Sequence, residues 1–172
     1  GPRRRKLILN GLLKDAARVS TIREKQARAR FACLLTHVRI WQQLVLSSLR
    51  YRVVLEDDVI IVHDFRVKLL RALNIMPRTW DILYLNATEP RYGAQVRQGL
   101  SQSKGALGTF GYAISRHGAE KLLKFAQNCD KPVDHMIDTA IFKGKINAFH
   151  SFPPLVCHND DLRSTIESTG HF

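Results

Sequence analysis

The chain has 172 residues and a formal net charge of +12, and 45% of its residues are hydrophobic. This length and composition are enough for one buried core and exclude wholesale disorder, and no apolar run is long enough to span a bilayer, so we expect a soluble or peripheral chain. The three cysteines, Cys33, Cys129 and Cys157, form no CxxC pair, which argues against a disulfide framework and a zinc knuckle.

Positive charge is concentrated near the start of the chain. Residues 1–30 hold ten Lys or Arg against two acids, a net charge of +8, and the rest contributes +4. Such a region suits an anionic membrane surface, a nucleic acid or a phosphorylated ligand, and it suits a solvated terminus equally well. No zinc-finger spacing, RNP-type strand or KH loop occurs, so specific nucleic-acid recognition is not expected. We therefore divide the chain into a basic N-terminal region, 1–30, and a domain, 31–172.

The first predicted elements surround a run of acids. K-L-I-L-N at 6–10 is a candidate short strand, and apolar residues recur at helical spacing from Phe31 to Val45. β-branched and aliphatic residues predict strands at 52–55 and 59–62. Between these strands stand Glu56, Asp57 and Asp58. Adjacent carboxylates repel one another, so the run is either a solvated turn or a site that needs a positive partner.

The second half of the chain alternates strands and helices. Asp64, Ser115 and Asp134 are placed to cap three helices, the last of which ends near Gly144. Residues 86–108 are polar and predict a long connection that lines a site. Further strands are predicted at 81–85, 109–114, 146–149 and 155–156. This alternation predicts a single-domain α/β fold with a largely parallel sheet flanked by helices.

The acidic run follows the end of a predicted strand, where open α/β sheets bind their ligands. In an extended chain, Glu56 and Asp58 lie on the same side. Two carboxylates so placed could hold Mg²⁺ or Mn²⁺, which prefer oxygen ligands, and through the ion a diphosphate.

Five motifs together resemble glycosyltransferase family 25, the lipooligosaccharide-biosynthesis and procollagen galactosyltransferase family. The resemblance covers about residues 31–160. Its motifs are C-L-L-T-H-V-R-I-W (33–41), V-L-E-D-D-V (54–59), D-I-L-Y-L (81–85), G-T-F-G-Y-A-I-S-R-H-G-A (108–119) and P-V-D-H-M-I-D (132–138).

The resemblance implies a Rossmann-like GT-A fold over 31–172 and an inverting transfer of a hexose, usually galactose from UDP-galactose, with Mn²⁺ or Mg²⁺ as cofactor. The implied acceptor is a glycan or glycolipid of the lipooligosaccharide type, or a hydroxylysine. The basic residues 3–30 would then contact an anionic membrane. The implied location is cytoplasmic, peripheral to the inner face of the membrane, or the secretory lumen in a eukaryote.

Two other functions stay open at this point. One is a catalytically inactive relative that keeps the fold as a binding or scaffold module. The other is a metal-dependent phosphoryl-transfer enzyme or nuclease that uses the acidic run, although no phosphate loop of the Walker type is present.

The resemblance also assigns roles to residues of the metal site. Asp58 would be the main metal ligand, Glu56 would contact the nucleotide or hold the metal's water, and Asp57 would support the loop. His158 would complete the metal site, unless it is a polar loop residue, and Asp160 and Asp161 compete for that role.

The general base that an inverting transfer requires would be Asp134, unless this residue only caps its helix, and Asp138 is the substitute. Donor contacts are expected from Thr36 and His37, although His37 could instead be a buried core residue. A second donor-binding set is Gly108, Thr109, Gly111 and Tyr112, with close packing as the alternative for Gly111. Arg116 and His117 would meet phosphate or face solvent.

The match departs from the family near the start of the chain. The family opens with a strand ending in I-N-L, a basic helix and a second strand, and about a dozen residues between Asn10 and Ile22 leave no room for all three. Ala32 also stands where the family has a glycine. Since the opening strand normally holds the uracil ring, the departure predicts weakened donor binding.

Overall fold

The computed structural model describes residues 22–127 and 131–159. The candidate strand at 6–10, Cys129 and the competing acids Asp160 and Asp161 lie outside these residues. The helices are α1 (Ile22–Leu46), α2 (Phe65–Asn74), α3 (Arg116–Ala126) and α4 (Val133–Phe142). The strands are β1 (Tyr51–Leu55), β2 (Val59–Ile61), β3 (Ile82–Asn86), β4 (Tyr92–Arg97), β5 (Leu100–Ser103), β6 (Gly111–Ser115), β7 (Ala148–Ser151) and β8 (Val156–His158).

The α/β fold class is confirmed, and the sheet is mixed rather than largely parallel. Its order is β1-β6-β3-β7-β5-β4, and β2 and β8 form a separate pair. Only the β3–β7 pair is parallel among the described strands. The reason is the segment between β3 and β6: it contains no helix, and a parallel crossover between neighbouring strands needs one. β1, β3 and β7 still run in one direction, so their carboxyl ends share one edge of the sheet.

The long connection predicted at 86–108 is largely a β-hairpin. β4 and β5 pair in antiparallel register, and β5 continues the sheet beside β7. Gly99, with φ of 78°, lies in the turn between the two strands, where a left-handed backbone suits glycine. Residues 87–91, before the hairpin, and 104–108, after it, form irregular loops.

The predicted caps have different outcomes. Ser115 caps α3 as predicted, since its hydroxyl oxygen accepts a hydrogen bond from the Gly118 amide at 3.0 Å. Asp64 precedes α2 but makes no cap bond, because its φ of 58° places it in the left-handed region and its carboxylate pairs with His63 at 2.8 Å. Asp134 lies inside the first turn of α4, and the cap position belongs to Pro132.

The helices cover the two faces of the sheet unequally. α1, α3 and α4 pack together on one face, around the fully buried side chains of Trp41, Leu122 and Met136. α2 and the β2–β8 pair cover the other face through Leu69, Leu155 and Val156. α1 begins at Ile22, earlier than the predicted Phe31. Among the described helices, none is both long and apolar enough to cross a membrane.

Candidate functional site

Glu56 lies at the edge of the sheet that contains the carboxyl ends of β1 and β3. It directly follows β1, and its amide donates a hydrogen bond to the carbonyl of Phe110 at 2.9 Å. The hydroxyl of Thr109 donates to its carboxylate oxygen Oε1. The segment that leads into β6 is therefore tied to Glu56 through both backbone and side chain, and Thr109, itself buried, has a fixed place beside it.

Asp58 and His158 come together through the small β2–β8 sheet. The register pairs Val59 with His158, which brings His158 Nε2 to 3.4 Å from Asp58 Oδ2. The amide of Asn159 donates to the Asp58 carbonyl at 2.8 Å. The other carboxylate oxygen, Asp58 Oδ1, is buried and has no hydrogen-bond partner among the described residues.

A buried carboxylate oxygen without a partner is costly, because it has lost its hydration without replacement. Here that oxygen belongs to a carboxylate next to an imidazole, and both groups are ligands for divalent cations. The donor set at Asp58 and His158 therefore fits a metal ion. Asp57 differs from its neighbours, since its side chain is exposed in the turn between β1 and β2.

A second cluster adjoins Glu56 from the helix side. Cys33 and His37 are four residues apart on α1, so they lie on one helix face. Their ligand atoms and a Glu56 carboxylate oxygen all lie within 4.8 Å of one another. Cys33 was not predicted as a site residue, and the signal that could have identified it is its four-residue spacing from His37.

The electrostatics of this cluster show an excess of negative charge. Burial, a hydrogen bond from Thr109 acting in the opposite sense, and the charges of three neighbouring carboxylates leave the pKa of Glu56 above its usual value. Burial, Glu56 and Asp134 raise the pKa of the Cys33 thiol to about 11. Burial lowers the pKa of His37 to about 4. At neutral pH the Cys33 thiol is protonated and the His37 imidazole is neutral, so neither group offsets the negative charge of the carboxylates.

Two of the predicted donor-binding residues make hydrogen bonds to α1. Tyr112 is fully buried, its hydroxyl 2.6 Å from His37 Nδ1, and it accepts a hydrogen bond from Trp41 Nε1 at 3.0 Å. Thr36 is exposed, and its hydroxyl donates to the Ala32 carbonyl one turn earlier in α1. His37 is buried, and its role in donor binding stays a prediction.

The two candidate bases hold the loop 104–108 from the start of α4. Asp134 Oδ2 accepts a hydrogen bond from the Gly108 amide at 3.3 Å, and Oδ1 accepts one from the His135 amide at 2.8 Å. Asp138 Oδ1 pairs with the Arg91 guanidinium and accepts from the Ala106 amide at 3.2 Å. Within residues 22–127 and 131–159, the Asp134 carboxylate therefore has no ionic partner, whereas that of Asp138 is paired with Arg91.

Glycine is required where this loop meets its neighbours. Gly108 has φ of 76°, and a Cβ there would lie 2.5 Å from Thr88 Oγ1. Gly111 has an ordinary backbone, and its Cβ would lie 3.0 Å from both Leu55 and Val156. Gly111 thus serves close packing between strands.

Arg116 and His117 lie at the other edge of the sheet. The Arg116 guanidinium donates to the carbonyls of Ser47 and Leu49, each at 2.6 Å, just beyond the end of α1. His117 is exposed, 3.8 Å from Glu120. Neither residue belongs to the acidic site, which consists of Glu56, Asp58, Asp134 and His158 and is called the acidic corner below.

The amino-acid sequence matches one family description and several curated proteins. The description "Glycosyltransferase family 25 (LPS biosynthesis protein)" matches residues 8–96. Procollagen galactosyltransferase 2 of Mus musculus is 29% identical over 104 residues, which are 56% of this chain and 17% of that protein. Procollagen galactosyltransferase 1-B of Xenopus laevis is 32% identical over 134 residues, 72% of this chain and 22% of that protein.

A third similar protein bears a different description. Inactive glycosyltransferase 25 family member 3 of Mus musculus is 34% identical over 98 residues, which are 53% of this chain and 17% of that protein. The chain thus spans about a fifth of the length of the curated relatives it matches.

Proposed function

The chain belongs to glycosyltransferase family 25, and on that premise we propose that it is the donor-binding part of a metal-dependent, inverting galactosyltransferase of the GT-A type. The observation that carries this proposal is the pair of Asp58 and His158, with one buried carboxylate oxygen that has no partner among the described residues. Galactose from UDP-galactose is the proposed transferred sugar, since similar proteins are named galactosyltransferases.

Asp58, Glu56 and His158 would hold the divalent cation, Mn²⁺ or Mg²⁺. When bound, such a cation offsets the negative charge that develops on the departing diphosphate. It would also compensate the carboxylates that raise the pKa of Glu56. Thr109 fixes the orientation of Glu56 by donating to Oε1, which leaves Oε2 for the cation or its water.

Asp134 is the proposed general base. The acceptor hydroxyl oxygen bonds to the anomeric carbon as the bond from that carbon to the UDP oxygen breaks, and the hydroxyl proton moves to a carboxylate oxygen of Asp134. Asp134 lies in the first turn of α4, beside the partial positive charge of the helix N-terminus. Asp138, paired with Arg91, would position the loop 104–108 instead of accepting the proton.

The proposed partners follow from the names of similar proteins and from charge. The acceptor would be a lipooligosaccharide-type glycan or glycolipid, as the family description suggests, or a hydroxylysine, as the name procollagen galactosyltransferase suggests. Residues 3–30, rich in Lys and Arg, would contact an anionic membrane surface. The protein would then act in the cytoplasm at a membrane face, or in the secretory lumen of a eukaryotic cell.

A second candidate function is a silent binding module that keeps the donor site without turnover. It is favoured by the similarity to a family member named inactive, which is 34% identical over 98 residues. The exposed position of Thr36 and the burial of Tyr112 also leave fewer side chains for donor binding.

Calorimetry with UDP, in the presence and absence of Mn²⁺, tests the metal site. We expect binding that requires the metal and that Asp58→Asn reduces at least tenfold, or about 1.4 kcal/mol, because the main ligand loses its charge. Asp64→Asn, a change at an exposed acid outside the acidic corner, is the matched control. UDP binding that needs no metal, or that Asp58→Asn leaves intact, would contradict the proposal.

Turnover separates the two candidate functions. Incubated with UDP-galactose and Mn²⁺ without acceptor, an enzyme should release galactose slowly, and Asp134→Asn should reduce that release. A silent module should bind UDP and release no sugar.

A further inference from the structure

A groove of about 790 Å³ lies at the edge of the sheet opposite the acidic corner. It opens where β1 and β3 begin and β6 ends, between α2 and the first turn of α3. Tyr51 at the start of β1 lines it, whereas Glu56 follows the other end of the same strand. At the rise of an extended chain, these two ends are about 16 Å apart. The groove is thus separate from the acidic corner.

Positive charge dominates the lining of the groove. Arg50, Arg78, Arg116 and Lys121 contribute four cations. Lys121 is held 2.6 Å from the buried carboxylate of Asp81, and Arg116 is held by two carbonyl groups. Arg50 and Arg78 are exposed, and neither lies within ion-pair distance of a carboxylate in the described part of the chain.

The N-terminus of α3 adds to the positive charge at the groove. Arg116 is the first residue of that helix, whose aligned peptide dipoles place partial positive charge toward the groove. An anion that enters would therefore meet the exposed guanidinium groups of Arg50 and Arg78, beside two cations that are held in position. Guanidinium groups bind carboxylate and phosphate with two parallel hydrogen bonds.

Part of the groove wall is apolar and carries two rings. The rings of Tyr51 and Trp80 are 6.4 Å apart, centroid to centroid, and tilted by 53°. The side chains of Leu70 and Leu73 extend this surface. An inorganic anion alone would leave these rings without a contact. A sugar ring has an apolar face that packs on aromatic side chains, and a volume of this size suits an oligosaccharide.

We infer that the groove between β1, β3 and α3 binds a saccharide that bears carboxylate or phosphate groups, with Arg50 and Arg78 holding the anionic groups and Tyr51 and Trp80 contacting the sugar rings. This site goes beyond the transfer reaction proposed above, because it lies at the opposite edge of the sheet and shares no residue with the acidic corner.

The test compares three probes by calorimetry and by NMR chemical shifts. Trigalacturonate carries carboxylates and sugar rings, maltotriose carries rings of the same number without charge, and citrate carries carboxylates without rings. We expect trigalacturonate to bind and to shift the indole resonance of Trp80. Its affinity should fall as NaCl rises from about 50 to about 300 mM. Maltotriose and citrate should each bind at least about tenfold more weakly. Glucose 6-phosphate, run alongside, shows whether phosphate replaces carboxylate.

Variants separate this groove from general attraction to a basic protein. The double variant with Arg50→Glu and Arg78→Glu should lower the affinity for trigalacturonate at least about tenfold. Arg66→Glu, a change at an exposed arginine of α2 outside the groove, should not lower it. Tyr51→Leu, which removes an aromatic ring and no charge, should lower the affinity for trigalacturonate and leave the affinity for citrate unchanged. Asp58→Asn should leave saccharide binding intact, so loss of metal-dependent UDP binding and loss of this site are distinguishable. Equal binding of citrate and trigalacturonate, or an equal effect of Arg66→Glu, would overturn the inference.

Discussion

The hydroxyl of Tyr112 contacts two other buried side chains, those of His37 and Trp41. It lies on β6 in the middle of the sheet, 2.6 Å from His37 Nδ1 and 3.0 Å from Trp41 Nε1, both on α1. The indole can only donate, so the hydroxyl accepts from Trp41 and its own proton is available to the neutral His37. This network fixes the rotation of α1 against the sheet and with it the position of Cys33 beside Glu56.

Tyr112→Phe removes that hydroxyl and keeps the ring. His37 and Trp41 would each lose a partner in a site from which water is excluded, and we expect the free energy of unfolding to fall by about 2 kcal/mol. Urea denaturation monitored by tryptophan fluorescence measures the change. Tyr92→Phe is the control, because Tyr92 is 48% exposed and its hydroxyl keeps access to water. Equal effects of the two substitutions would show that the buried network contributes nothing.

At the scale of elements, local sequence signals predicted most strands but not their directions. β1, β3 and β6 follow from short runs of mostly apolar residues, and α3 follows from the cap at Ser115. The hairpin β4–β5 was missed because its residues are mostly polar and exposed, so neither an apolar run nor strict alternation distinguishes it from a loop. Once that hairpin replaces a helix between β3 and β6, the two strands must run antiparallel.

Local sequence patterns placed only Glu56 and Asp58 of the acidic corner together, and Asp134 and His158 were assigned roles through the family resemblance. Glu56 and Asp58 follow a strand end, and their place at an edge of the sheet follows from that pattern. The approach of Cys33, Asp134 and His158 depends on how α1, α4 and β8 pack, and no local signal encodes such distances. The unusual left-handed backbone of Asp64, likewise, is set by its surroundings and not by its capping preference.

The start of α3 offers a test of one cap at this scale. Ser115 Oγ accepts from the Gly118 amide at 3.0 Å and donates to the Trp80 carbonyl at 2.9 Å, so it links α3 to the segment before β3. We expect Ser115→Ala to lower the free energy of unfolding by about 1 to 2 kcal/mol, the range for lost N-caps. Thermal unfolding by circular dichroism measures it. Ser48→Ala, at an exposed serine after α1, should change stability little, and a comparable loss there would argue against the cap.

In the molecule as a whole, the acidic corner and the positively charged groove lie at opposite edges of one sheet. The carboxyl ends of β1 and β3 carry the acidic corner, and their amino ends carry the four cations of the groove. A strand crosses between these edges in five residues, so the two sites are held at a fixed separation by the most buried part of the molecule. A molecule with anionic groups at one end would therefore bind the two edges with different affinity.

Stability should depend on pH through a histidine buried in the same sheet. His150 on β7 is 2% exposed, between the rings of Tyr84 and Tyr92, and its Nε2 is buried with no hydrogen-bond partner in the described residues. Burial lowers its pKa from 6.5 to about 4, a shift that a hydrogen bond to the Gly105 backbone partly offsets. Between these two values the unfolded chain binds a proton that the folded chain does not, so stability falls as the pH falls from 6.5 towards 4.

Below about pH 4 and above pH 6.5 this histidine contributes no further slope, because both states then carry the same proton count. Across the window the expected loss is on the order of 2 to 3 kcal/mol. Urea denaturation at intervals from pH 4.5 to pH 7 measures it, and His150→Asn should flatten the curve while His135→Asn, at an exposed position, should not. A residual slope is expected in His150→Asn, since burial lowers the pKa of His37 as well. If His150→Asn kept the full slope, the buried imidazole could not be its source.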